Sequence, residues 1–334
     1  ECGGLLDLEG PVADPTPRRD APWSLWRYQA ALPTAALPAA AEVTMGEGMT
    51  PLVRVGDVLA KLDFVMPTQS FKDRGASVLV AAAAAAGVES VVTDSSGNAG
   101  RSVAAYAARA GISAEVFVPA TTPEHKAAAI ARLGATVIRV PGDRAATADA
   151  AVTRVGETGA MYASHVWQPL FVHGTKTLAF EIWEQLAGAG RAQGVPRTVV
   201  VPVGNGTLLL GAARGFRELR EAGLIERVPR LVGVQAARCA PLLDRPPGGP
   251  TVADGIAVAA PPRRAQILRA VRDSGGLLIT AAEHAIEPAR RDLASRGIDV
   301  EPTAAATWAA WQQAGPEAQG GGEVVLVLTG AAKG

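Results

Sequence analysis

The sequence predicts an α/β protein of two lobes, each a mostly parallel sheet covered by helices, with a cleft between the lobes. Three observations carry that reading. From about Val53 onward, short apolar runs of strand length alternate with helical segments, an order that favours parallel sheets buried on both faces. Helical segments stop at glycines, as at Gly111 and Gly134, where a left-handed residue ends a helix cheaply. One valine-rich run, 198–203, leads directly into Gly204-Asn205-Gly206-Thr207 and a further helical segment. At 334 residues the chain has room for one large domain or two moderate ones.

Taken in order, the first forty residues are rich in proline and alanine, with Trp23, Trp26 and Tyr28 expected to anchor them onto a body. The patterning then predicts a helix over 76–86, a strand over 88–93 and a helix over 99–110. A strand over 114–118, a helix over 124–133, a strand over 136–140 and a helix over 147–157 follow. After an irregular stretch come a helix over 177–186, a buried strand over 198–203 and a helix over 208–222. The apolar runs 231–235 and 324–328 read as two more strands, and 245–250 and 316–322 as loops by their proline and glycine content. Residues 75–178 are expected to form a small, mobile lobe, and residues 1–74 with 179–334 a large one. Ligands favour the cleft that such an arrangement leaves.

Composition removes several function classes. Lys+Arg and Asp+Glu balance at 32 each, which gives no electrostatic reason to expect nucleic acid or an anionic membrane as a partner. Two cysteines, Cys2 and Cys239, cannot build a disulfide framework or a four-thiolate zinc site, and a reducing, cytoplasmic setting fits them. Cys2-Gly3-Gly4 resembles the end of a zinc ribbon whose other ligands are missing, and a frayed terminus is the plainer reading. No apolar run reaches the ~18 residues needed to span a bilayer. The chain starts at Glu1 rather than Met, which leaves room for a removed targeting segment. His125, His165, His173 and His284 show no metal-ligand spacing, and no metal is expected. His125 and His284 read as surface helix residues.

The most informative stretch is Pro67-Thr68-Gln69-Ser70-Phe71-Lys72-Asp73-Arg74-Gly75. Ser70 followed by Asp73 resembles a capping box with Asp in place of Glu or Gln. The helix that follows is apolar all round and should be buried, which puts Lys72 in the first turn of a buried helix. Burial and the positive end of the helix dipole both favour the neutral amine, the form that Schiff-base chemistry needs. The competing reading is a lysine whose stem snorkels to water.

The second informative stretch is the loop after the valine-rich strand. Strand, glycine loop and helix N-terminus together make an anion site, with inward N–H groups and a favourable dipole. By itself such a loop also suits a dinucleotide fold or a plain tight turn. No acidic residue ends a second strand about twenty residues on, as a ribose contact would need, so a single-phosphate ligand fits better.

With these two stretches, further motifs run in order along the chain: Gly46-Glu47-Gly48-Met49-Thr50-Pro51-Leu52, Ser95-Ser96-Gly97-Asn98-Ala99-Gly100, Val203-Gly204-Asn205-Gly206, Glu301-Pro302-Thr303-Ala304-Ala305 and Leu328-Thr329-Gly330. Together they resemble the threonine synthase branch of the tryptophan synthase β-like (fold type II) pyridoxal-phosphate enzymes, over residues 46–330. The resemblance implies pyridoxal 5'-phosphate held by Lys72 as a Schiff base, in an active site within the interlobe cleft. It implies that Asn98 hydrogen-bonds the cofactor's ring hydroxyl, that Val203, Gly204, Asn205, Gly206, Thr207 and Leu208 bind its phosphate, and that Thr329 faces its pyridine nitrogen. Ser95, Ser96, Gly97 and Ala99 would lie where the substrate carboxylate docks. A homodimer is the assembly it suggests.

The implied activity is that of a lyase converting O-phosphohomoserine and water to threonine and phosphate, and the chain departs from that pattern at several positions. Gln69 replaces a glycine beside the lysine, and Arg101 stands where a small residue is usual. His173-Gly174-Thr175-Lys176-Thr177 resembles the family's E-G-Q-K-T with two changes. In Gln168-Pro169-Leu170-Phe171, phenylalanine takes the place of an arginine that helps grip the substrate phosphate in many threonine synthases, which is not a neutral change. Arg101 is a candidate replacement charge and His173 a candidate lining residue, each weighed against an ordinary exposed or structural role. The sequence therefore leaves open a paralogue that acts on another activated amino acid. It also leaves open a non-catalytic protein on the same scaffold, against which intact Lys72, Asn98 and Thr329 stand.

Overall fold

A computed structural model describes residues 4–8, 14–33, 36–190, 194–315 and 321–332. Cys2 and most of the expected loop over 316–322 lie outside these residues. Among the described residues ten strands form two sheets. The smaller is built from β3 (Ser90–Thr93), β4 (Ser113–Pro119), β5 (Thr136–Val140) and β6 (Met161–Tyr162) in the order β5-β4-β3-β6, all parallel. The larger joins β1 (Leu52–Val55), β2 (Val58–Leu62), β7 (Thr198–Pro202), β8 (Arg230–Ala236), β9 (Leu277–Ala281) and β10 (Val324–Leu328) in the order β1-β2-β10-β7-β8-β9. Among the named strands of the described residues, only the β1–β2 pair is antiparallel. Two mostly parallel, helix-covered sheets are what the alternating pattern predicts. The central strands β7 and β10 are buried at every position, which is why they read as unbroken apolar runs.

The helices are α1 (Ala40–Val43), α2 (Lys72–Ala85), α3 (Asn98–Arg109), α4 (Glu124–Ala131), α5 (Arg144–Thr158), α6 (Pro169–Thr175), α7 (Thr177–Gly188), α8 (Thr207–Glu221), α9 (Arg264–Asp273), α10 (Glu283–Ser295) and α11 (Pro302–Gln313). Helix α2 is buried from Asp73 to Ala83, as its all-apolar sequence requires. Fully burying Val78, Leu79 and Val80 contributes about 1.5–3 kcal/mol each relative to exposure. Among the N-terminal aromatics, Trp26 and Tyr28 are anchors as expected, but Trp23 is 66% exposed, with Arg27 stacked on its ring at 4.6 Å. Arg27 is in turn tied to Glu184 at 2.8 Å, so Trp23 covers a salt bridge rather than filling the core.

The Ser70–Asp73 capping box does not form. Asp73 reaches back instead to Thr68, accepting from its N–H at 2.7 Å and from its hydroxyl at 2.5 Å, and also accepts from Ser102 on α3 at 2.6 Å. Residue Ser70 is already engaged through its backbone, in a bridge to Gly330. Next along α2, the Arg74 guanidinium is fully buried between Asp63 (2.8 Å) and Glu181 (2.5 Å), and Lys61 also pairs with Glu181 at 2.7 Å. The buried Glu47 of the Gly-Glu-Gly motif accepts from Trp26 (2.6 Å) and Tyr106 (3.0 Å) and so joins the N-terminal segment to α3. These carboxylates and their partners fix the first turn of α2, and with it the position of Lys72.

Candidate active site

Lys72 opens α2 and is partly exposed, although its amine is crowded by protein. The Phe71 ring lies 4.3 Å from Nζ and the Phe171 ring 6.0 Å. Burial lowers the amine's pKa to about 7, and the Glu301 carboxylate opposes that shift only in part. Desolvation thus holds the amine near half-neutral at physiological pH.

Glu301 precedes α11 and comes to Lys72 through the end of β10. Its N–H donates to the Gly330 carbonyl at 3.0 Å, and the Phe71 N–H donates to the Thr329 carbonyl at 2.9 Å. A side chain at Gly330 would meet the Glu301 carboxylate and force it to move. Across the cleft, Asn98 at the first position of α3 donates from Nδ2 to both Glu301 oxygens, at 3.0 and 3.2 Å. The Thr329 hydroxyl is 1% exposed and has no partner among the described residues.

The glycine loop closes the other side. Gly206 has φ +80°, and a Cβ on it would strike Ile267, so this turn admits only glycine. A Cβ on Gly204 would lie 3.0 Å from Val258 and 3.1 Å from the Gly255 carbonyl. Helix α8 starts at Thr207 with no side-chain cap, which leaves its first N–H groups for a ligand. Asn205 Nδ2 lies 3.4 Å from His165 Nε2. His165 is buried and stacks edge-on to Phe171 at 5.9 Å. Burial, followed by the charges of Lys72 and Arg144, holds His165 well below its usual pKa and keeps it neutral. Through His165, the lysine and the glycine loop share one neighbourhood.

Of the other residues singled out in the sequence, Ser95, Ser96 and Gly97 form the turn into α3. The Gly97 N–H donates to Ser95 Oγ at 3.4 Å, and Gly97 is the N-cap. A Cβ on Gly100 would clash with the Ser95 carbonyl, so glycine lets this turn fold onto the helix. Ala99 is buried, while Arg101 is half-buried and makes no ion pair among the described residues. His173 faces elsewhere: burial lowers its pKa to about 3, and the charges it feels are those of Lys176 and Arg214, not Lys72. Lys176 is itself buried and paired with Glu218 at 2.7 Å. Phe171 is fully buried, packed on Gly75. Two residues near the lysine carry no local sign of their role. His165 lacks any motif, and Glu301 is visible only as the start of one.

This assembly fits a cofactor that combines an aldehyde, a pyridine nitrogen and a phosphate. A partly neutral amine suits the first, the unpartnered Thr329 hydroxyl the second, and the glycine cradle before α8 the third. Comparison with known proteins agrees. The family described as pyridoxal-phosphate dependent enzyme matches residues 43–330. The chain is 32% identical to a threonine synthase of Methanosarcina acetivorans, covering 92% of this chain and 80% of that protein. It is 34% identical to one from Synechocystis sp., covering 86% and 77%. Among solved structures, a threonine deaminase from T.th. superposes with a TM-score of 0.75 at 27% identity, covering 91% of this chain and 99% of that one.

Proposed function

The chain belongs to the family of pyridoxal-phosphate dependent enzymes, and within it we propose a lyase of the threonine synthase kind that takes O-phosphohomoserine and water to threonine and phosphate. The observation that carries this reading is the convergence of Lys72, Asn98, Thr329 and the 203–208 loop on one place. Threonine synthases from several organisms are similar over most of the chain. When bound, pyridoxal phosphate supplies a carbonyl for the lysine and an electron sink for charge that develops at the substrate Cα.

In this reading Lys72 is the attachment point, and its amine moves the proton at Cα. The residues Val203, Gly204, Asn205, Gly206, Thr207 and Leu208 hold the cofactor phosphate through backbone N–H groups and the helix dipole. Thr329 donates to the pyridine nitrogen without giving up its proton, which moderates electron withdrawal. Asn98, fixed by Glu301, orients the ring from its hydroxyl side. Ser95, Ser96 and Gly97 receive the substrate carboxylate at the start of α3, and Arg101 is the nearest candidate in the sequence to meet the leaving phosphate. A proton is lost from Cβ as phosphate departs from Cγ, Cγ is then protonated and ends as the methyl group, and water supplies the hydroxyl at Cβ. The working assembly in this reading is a homodimer, with residues 75–178 moving over the site.

A second reading has one specific observation in its favour. Phe171 is a buried ring beside Gly75 and His165, in the place where many threonine synthases carry a phosphate-gripping arginine. An apolar ring there suits elimination or replacement on another activated amino acid, such as O-phosphoserine, serine or threonine. Both readings meet the same test. The purified protein, loaded with pyridoxal phosphate, is offered O-phosphohomoserine and the other amino acids, and phosphate, ammonia, keto acid and threonine are followed. Phosphate and threonine in equal amounts support the first reading. Turnover only with other members of the panel supports the second, and silence across the panel rejects both.

A further inference from the structure

The Phe171 ring stands 6.0 Å from Lys72 Nζ and offers nothing to an anion. Two nearby cations are already engaged: Arg74 is fully buried between Asp63 and Glu181, and Lys176 is buried against Glu218. Arg144, at the start of α5, is placed differently.

Every strand of the smaller sheet is parallel, so the segments that follow β3, β5 and β6 leave from one edge, the edge at which parallel sheets take ligands. Asp94 and the Ser95–Gly97 turn follow β3, Arg144 follows β5, and His165 follows β6. Helix α3 begins at the same edge, and its Asn98 meets Glu301, whose carboxylate acts on Lys72. That edge therefore faces the lysine. Arg144 Nη1 donates to the Asp94 carbonyl, and Nη2 pairs with the Asp94 carboxylate at 3.2 Å. These bonds fix the guanidinium beside the residue that precedes Ser95. Tyr162 donates to the other Asp94 oxygen at 3.0 Å, so both carboxylate oxygens are taken. Of the five guanidinium N–H groups, those left over find no acceptor among the described residues, and the side chain is 53% exposed. Buried His165, whose Nδ1 has no partner among the described residues, feels the charges of both Lys72 and Arg144. The N-terminus of α5, capped by Asp143 through the Ala146 N–H at 2.9 Å, adds a dipole that favours an anion.

We infer that Arg144 is a specificity-determining residue that meets the distal anionic group of an amino-acid substrate, in the role that Phe171 leaves empty. This rests on the reading that Lys72 holds pyridoxal phosphate and deepens it. A guanidinium pinned on one side still offers a fork to phosphoryl oxygens on the other. The test uses the protein loaded with cofactor and two amino acids without a scissile ester. One is the phosphonate isostere of O-phosphohomoserine, with CH2 in place of the ester oxygen, and the other is norvaline, which lacks the phosphonate. Each is titrated by the change in cofactor absorbance. The phosphonate should bind at least about tenfold more tightly, and Arg144→Gln should remove about tenfold of that ratio with norvaline unchanged. Arg101→Gln should leave the ratio as it is. A ratio that survives Arg144→Gln, or that collapses in Arg101→Gln, overturns the inference. So does norvaline weakening in step with the phosphonate, which marks a merely structural role for the Asp94 pair. Should Arg144→Gln not fold, phenylglyoxal labelling of the unaltered protein decides: the phosphonate should shield Arg144 and norvaline should not, and equal labelling with both overturns it. Because neither compound turns over, a protein that releases no threonine from O-phosphohomoserine yet passes this test refutes the assigned reaction and not the role of Arg144.

Discussion

The amine of Lys72 offers the sharpest test of the site. Burial lowers its pKa from 10.5 to about 7, so it loses its proton as pH rises through neutrality rather than in strong base. At pH 8 about nine-tenths of such an amine is neutral, against about 0.3% of an ordinary lysine, a gain of about 300-fold in nucleophile. Cofactor-free protein labelled briefly with fluorodinitrobenzene across pH 5 to 11, then digested, reports the rate at Lys72 from the mass of its peptide. The expected profile has a midpoint near pH 7 when folded and near 10.5 in urea. Glu301→Gln should move the folded midpoint lower still, because that carboxylate favours the charged form. A folded midpoint that coincides with the unfolded one would refute the claim that desolvation readies this lysine.

Three further outcomes follow from the buried network, the turn and the hydroxyl. Arg74→Met leaves Asp63 and Glu181 without their guanidinium and should cost about 3–5 kcal/mol in urea unfolding. Burial alone would raise the Glu181 pKa, but Arg74 and Lys61 outweigh it and hold it at about 2, below its ordinary 4.5. The stability tied to Glu181 is therefore present above pH 4.5 and lost as pH falls toward 2, and Arg74→Met should flatten that acid limb. Gln69 is exposed and sits at φ +64°, so Gln69→Gly should stabilise the fold by about 1 kcal/mol; a lower melting temperature would mean that the side chain has a job. Thr329→Val removes a buried hydroxyl without a protein partner among the described residues. It should leave the cofactor-free protein as stable or more so, while weakening cofactor retention in equilibrium dialysis.

What the sequence disclosed followed burial and backbone demand. The strands β7 and β10 and the helix α2 are buried on every side and stand out as apolar runs. Gly206 marks the site because its left-handed backbone disfavours any side chain, and Gly330 because a side chain there would displace the Glu301 carboxylate. The edge strand β9 is half-buried along most of its length, and its apolar run Leu277-Leu278-Ile279 is short and does not alternate. Helix α10 carries Pro288 inside it, and α6 has a proline at its start and a glycine near its end; each reads locally as a break. His165 and Glu301 were hidden for a different reason. Their partners Asn205 and Asn98 are 40 and 203 residues away, and no periodicity records a contact made only by tertiary packing. His173 marks the opposite limit: its motif position gave no information on which face of α6 it takes, and the charges around it are those of Lys176 and Arg214.

The bond from Ser102 to Asp73 constrains how the halves of the molecule can move. It fastens α3, which follows a strand of the smaller sheet, to the residue next to the reactive lysine. Asn98 is one turn, about 6 Å, from that fastening. Were the smaller sheet to swing, as proposed above, the pivot would lie close to the chemistry, with the far edge at β5 describing the widest arc and the spacing of Lys72 and Asn98 the least affected.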